Sequence, residues 1–147
     1  MVGTMTKNMW RIGILAGTAL FGSGSPQAAE PEPAVNLQLN RTAASDNGCT
    51  LTFVAANRTA EALSKAAFEF VLFDKDGLVD RMTVFDFGSL PAEKTVVRQF
   101  ALGGINCEAL GSILVNGAAG CGGESRQEAL CSAALKTESR AEIPFSK

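Results

Sequence analysis

From Ala66 to Phe73 the large apolar side chains Phe68, Phe70 and Leu72 recur at every second position. Successive strand side chains point to opposite faces, so this spacing puts all three on one face of an extended segment. The intervening residues, Ala67, Glu69, Val71 and Phe73, are mixed rather than polar. Aromatic and β-branched residues at this density suit a pleated surface packed against a second layer. Lys75-Asp76-Gly77 supplies a turn, because Asp tolerates a left-handed backbone and Gly has no Cβ to obstruct it. The return strand, Leu78 to Phe87, changes phase partway. Val79 shares parity with Phe85 and Phe87, whereas Leu78, Met82 and Val84 take the opposite parity. A β-bulge or burial of both faces accounts for the change, and the pattern alone does not choose between them.

The same period of two runs through the chain on either side. Val35, Leu37 and Leu39 alternate with polar residues, and Asp46-Asn47-Gly48 is a hairpin signal leading into a second strand, Cys49 to Ala55. After the Leu90-Pro91-Ala92-Glu93 turn, Lys94 to Leu102 forms another strand, with Val96, Phe100 and Leu102 on one parity and Arg98 breaking the row. Leu110 to Asn116 is a further apolar strand, and Leu135 to Phe145 a last one, stopped by Pro144. Between these two, Ser125 and Glu128 have capping-box spacing, which predicts one short helix that carries Cys131. About seven short strands separated by turn signals predict a mainly β fold, an immunoglobulin-like antiparallel β-sandwich with a single helix near the C-terminus.

The N-terminus follows a different grammar. Lys7 and Arg11 give a positive region before a short apolar run, Ile12 to Phe21, and a Gly/Ser/Pro break precedes Gln27-Ala28-Ala29. That order matches a secretory signal peptide over residues 1–29, with cleavage after Ala29. The apolar run is about half of the roughly 20 residues that a membrane span requires. No Arg pair precedes it, which favours the general secretory route. Glu30-Pro31-Glu32-Pro33 reads as a disordered leader over residues 30–34, and residues 35–147 as one sandwich domain. The expected location is periplasmic or secreted, with no stable membrane insertion after cleavage.

Export changes the reading of the cysteines. Cys49, Cys107, Cys121 and Cys131 are an even set in an exported chain, which reads as two structural disulfides. Four cysteines allow three pairings, and sequence alone does not fix one. Closeness in the chain favours Cys121 with Cys131, leaving Cys49 with Cys107 at the starts of two strands that run the same way. The spacings fit neither a zinc site nor a redox motif.

Charge narrows the partners. Eleven basic and fifteen acidic residues follow Ala29, a net charge of −4 that is dispersed along the chain. With no basic stripe, nucleic acid is not an expected partner. The chain has no His and no Tyr, so Ser-His-Asp and Cys-His nucleophile systems and His-ligated metals are excluded. No catalytic residues and no cofactor are expected. Asp74, Asp76 and Asp80 around Gly77 invite a calcium reading, but the EF-hand ligand order is absent and acidic hairpin tips arise for turn reasons alone. Asn40-Arg41-Thr42 and Asn57-Arg58-Thr59 fit the glycosylation pattern and read as polar strand-end loops.

Phe70-Val71-Leu72-Phe73-Asp74, the Lys75-Asp76-Gly77 turn and Leu90-Pro91-Ala92 resemble the FxLYD-type immunoglobulin-like domains of bacterial envelope proteins. Phe73 stands where that family has Tyr, and Ala92 where Gly is usual. The similarity covers roughly Cys49 to Leu102 and implies a sandwich fold without catalytic or ligand-binding residues. The mature chain also resembles small uncharacterised exported proteins of alphaproteobacteria. Val71, Phe73, Phe85 and Phe87, read as the second face of the hairpin, either fill the core or form a docking patch for another envelope protein. The functional expectation is a non-enzymatic interaction module or accessory subunit of an envelope complex. The alternatives are a carrier of calcium or of a small apolar ligand held between the sheets, and a small carboxylate-dependent hydrolase.

Overall fold

The computed structural model describes residues 35–122, 131 and 134–147, together with Met1 and Gly3. The expected signal peptide and leader, and the helix expected from Ser125, fall almost wholly outside the described residues. Eight strands follow in chain order: β1 (Val35–Ser45), β2 (Gly48–Asn57), β3 (Lys65–Asp74), β4 (Val79–Asp86), β5 (Thr95–Gly103), β6 (Leu110–Gly122), β7 (Leu135–Ser139) and β8 (Phe145–Ser146). A 3-10 turn, Cys107–Ala109, leads into β6. The strands form two four-stranded sheets, ordered β5-β2-β1-β7 and β4-β3-β6-β8. This is the immunoglobulin-like β-sandwich that the strand grammar predicts.

Two details depart from expectation. The segment read as one last strand is two, and the chain crosses from the first sheet to the second between them. Leu39 holds the crossing at one end, its carbonyl accepting from the amides of Arg140 and Ala141; the Pro144 carbonyl holds the other, accepting from Ile113. Pro144 therefore precedes a strand rather than ending one, a position where its missing N–H forfeits no ladder bond. The sandwich is also not wholly antiparallel, because β7 pairs parallel with β1 and β8 parallel with β6.

Alternation sorts the side chains. In β1 and β2 the residues Val35, Leu37, Leu39, Leu51, Phe53 and Ala55 point into the core. Phe68, Phe70 and Leu72 of β3 face them from the second sheet. Phe53 sits at the centre, with ring centroids 5.6 Å from Phe70, 5.7 Å from Phe87 and 5.5 Å from Phe145. At one side the two sheets close on each other through Phe85 of β4 and Phe100 of β5, stacked at 4.3 Å. Arg98, the charge that breaks the apolar row of β5, donates from Nε to the Phe87 carbonyl at 2.8 Å and bridges the same gap. The inter-sheet space around Phe53 is filled with rings.

All four cysteines are paired, Cys49 with Cys107 and Cys121 with Cys131. The first bridge spans 58 residues and the second 10; loop-closure entropy assigns them about 4 and about 3 kcal/mol. The pairing favoured by chain proximity is the one observed. At the β1–β2 hairpin the two-residue turn is Asp46-Asn47, and Gly48 follows it. A Cβ on Gly48 would lie 1.9 Å from the Leu102 carbonyl oxygen of β5, so no larger residue fits there.

Candidate functional site

The β3–β4 hairpin begins at Asp74, whose carboxylate accepts from the amides of Asp76 and Leu78 at 2.9 Å each. This is the turn role of an Asp side chain, and it engages the first of the three acidic residues in the calcium reading. Among the described residues no group of three or more His, Cys, Asp or Glu side chains could hold a metal ion. Beyond the turn Phe73 pairs with Val79 but Leu72 with Arg81, so Asp80 is an extra residue in β4. That bulge is the cause of the phase change seen in the sequence.

The bulge decides which side chains share a face. Phe85 lies opposite Phe68 and Thr83 opposite Phe70, so both belong to the inner face. Phe87 continues that row and is fully buried. The expected patch therefore divides. Phe85 and Phe87 are core residues, whereas Val71 and Phe73 lie on the outer face of β3. The error in grouping them came from carrying one parity through the hairpin; the extra residue at Asp80 puts Val79 on the side opposite to Phe85.

On the outer face Val71 is flanked by Met82 of β4 and Leu114 of β6, and Phe73 by Val79. Val84 lies beside Glu69. Val71 is buried between its neighbours, but Leu78, Val79, Met82 and Val84 are 65%, 56%, 54% and 52% exposed. An antiparallel sheet normally turns a polar face to water; this one presents an apolar field across three strands. Glu69, beside Val84 on this face, accepts from the Asn116 side-chain amide, and further charges lie near the ends of β4. Asp80 and Arg81 form an ion pair at 3.1 Å, and Lys65 and Asp86 approach to 3.9 Å. An apolar centre with a polar border is the anatomy of a protein interface.

β4 is also the outermost strand of its sheet. In an antiparallel ladder hydrogen-bonded pairs alternate with non-bonded ones. The Ala66–Phe87 bond sets that alternation and turns the main-chain groups of Met82 and Val84 away from β3. An edge of this kind is a template for a further strand. Natural edges are usually blunted by charge, proline or a bulge; β4 has a bulge and an ion pair at Asp80 and Arg81, and beyond them its outer face carries Met82 and Val84.

Sequence reasoning placed Val71 and Phe73 in the candidate patch and omitted Met82, Val84 and Leu114. The signal for the first two was present in the shared parity of Leu78, Met82 and Val84. Of the two sequons, Asn57 is buried, its side-chain amide donating to the carbonyls of Glu61 at 2.8 Å and Leu90 at 3.0 Å. It is a structural clasp and not a modification site. No helix among the described residues is long and apolar enough to cross a membrane. No family model, curated protein or solved structure matches this chain.

Proposed function

We propose that this chain is a non-enzymatic, exported β-sandwich module that binds another envelope protein through the outer face and free edge of β4. The observation that carries the proposal is the row Val79, Met82 and Val84, each more than half exposed on an edge strand. Two disulfides in the fold fit an oxidising compartment. The signal-peptide grammar of residues 1–29 and the FxLYD-type resemblance support a periplasmic location. Recognition would proceed by strand addition: an extended segment of the partner pairs with the β4 main chain and seats alternate apolar side chains on Met82 and Val84.

The test is capture from periplasmic extract by immobilised wild-type protein and by a Met82→Lys/Val84→Lys variant, compared band by band. The reading predicts a partner retained by the wild type and lost from the variant. Equal capture by both proteins, or none by either under gentle conditions, contradicts it.

A further inference from the structure

An open cavity of about 820 Å³ lies at the end of the sandwich that carries the β3–β4 turn. This is within the size range of small-molecule sites, roughly 300–1,000 Å³. Three segments distant in sequence build it: β1 at Arg41, the hairpin tip at Lys75, and the β7–β8 crossing at Arg140. Gly111 fixes how closely two of the walls meet. A Cβ there would lie 2.1 Å from the Asp74 carbonyl oxygen and 3.0 Å from Lys75 Cα, so the hairpin tip rests directly on β6. The Cys49–Cys107 bridge anchors the turn that supplies Glu108.

Among the described residues no ion pair joins the cations of the cavity to its carboxylates. The ion pairs among the described residues are Lys65–Asp86 and Asp80–Arg81. Arg41, Lys75 and Arg140 therefore share one cavity without a carboxylate on any of them, although Glu108 and Glu142 also line it. Among the described residues none of the three cationic groups donates a side-chain hydrogen bond, which leaves their donors for a ligand. Beside them is an apolar wall, Leu110 buried and Ala141 and Ile143 half-buried.

We propose that this cavity is a binding site for a small amphipathic monoanion, a molecule with one acidic group and an apolar body. The acid is held by Arg41 and Arg140, whose planar guanidinium groups match a carboxylate, with Lys75 as a further positive charge. The apolar body lies along Leu110, Ala141 and Ile143. Glu108 and Glu142 set the upper limit on ligand charge, because a polyanion would meet two carboxylates as well as three cations. The site is separate from the outer face of β4 and does not depend on the function proposed for that face.

The test is an NMR titration of the purified, disulfide-bonded protein with sodium octanoate, with 1-octanol and sodium acetate as probes lacking one half of the ligand. Saturable shifts at the amides of Arg41, Gly111 and Glu142 are expected, with octanoate binding roughly tenfold or more tighter than either control. An Arg41→Gln/Arg140→Gln variant should weaken octanoate roughly tenfold while keeping a dispersed spectrum, since neither side chain is bonded in the fold. Lys75→Gln, on a different element, is the second variant and should weaken it in the same direction. Met82→Lys/Val84→Lys should leave octanoate binding unchanged. Octanol or acetate binding as tightly as octanoate, unaltered affinity in both cavity variants, or shifts centred on Met82 and Val84 would each overturn the proposal.

Discussion

Phe53 packs against five other phenylalanine rings, drawn from β3, β4, β5 and β8 and from the residue following β4. Its contacts span both sheets, so truncation would leave a cavity that neither sheet could collapse into alone. Phe53→Ala is expected to cost about 3–5 kcal/mol, read as a lowered urea midpoint at unchanged slope. The inward direction of Phe53 was legible, because Cys49, Leu51, Phe53 and Ala55 alternate without interruption. Gly111 was not. It stands in an apolar strand with nothing nearby to suggest a close approach, and only the pairing of β3 with β6 reveals the Asp74 carbonyl beneath it. Gly111→Ala forces β3 and β6 apart locally and should destabilise by about 1–3 kcal/mol in the same denaturation assay. Asn57 gives the opposite lesson. Its sequon marks a surface in sequence terms, but the side chain is spent on two carbonyls and is out of reach of solvent.

At the scale of elements, β4 is where pattern reading and structure part company. Every inner position of β3 could be taken from alternation, yet the facing strand could not, because a single extra residue at Asp80 reverses the relation between sequence parity and face. The consequence can be measured. Phe85→Ala, in the core, should cost about 3–5 kcal/mol. Met82→Lys/Val84→Lys, three and one residues earlier on the exposed face, should change stability by no more than about 0.5 kcal/mol per site. Thermal denaturation of the two variants in parallel distinguishes the faces. The C-terminal crossing was illegible for another reason. Leu135 to Phe145 is too short to show that its two halves have different neighbours, and the change of sheet rests on backbone bonds from Leu39 and Pro144. The Cys49–Cys107 bridge could be inferred, since Cys49 lies at the start of β2 and Cys107 in the turn that leads into β6. Replacing both by Ser should lower stability by about 4 kcal/mol, measured by urea unfolding with Cys121 and Cys131 left bridged.

For the whole molecule, the two sheets have different relations to their surroundings. At one side Phe85, Phe100 and Arg98 close the interior between β4 and β5. Outside that closure, β4 still presents an apolar row. Composition announced the absence of His and Tyr chemistry. The cavity at Arg41, Lys75 and Arg140 lay beyond the reach of sequence reading, since its residues come from three distant segments and gather only when the strands are ordered. The proposed function depends most on the outer face of β4 meeting a partner. Site-specific photo-crosslinking in the periplasm tests this, with the reactive group placed at Met82 and, as a control, at Val97, which is 56% exposed on the other sheet. A discrete adduct from Met82 and none from Val97 is the predicted result. Adducts of equal yield from both positions, or none from Met82, would contradict it.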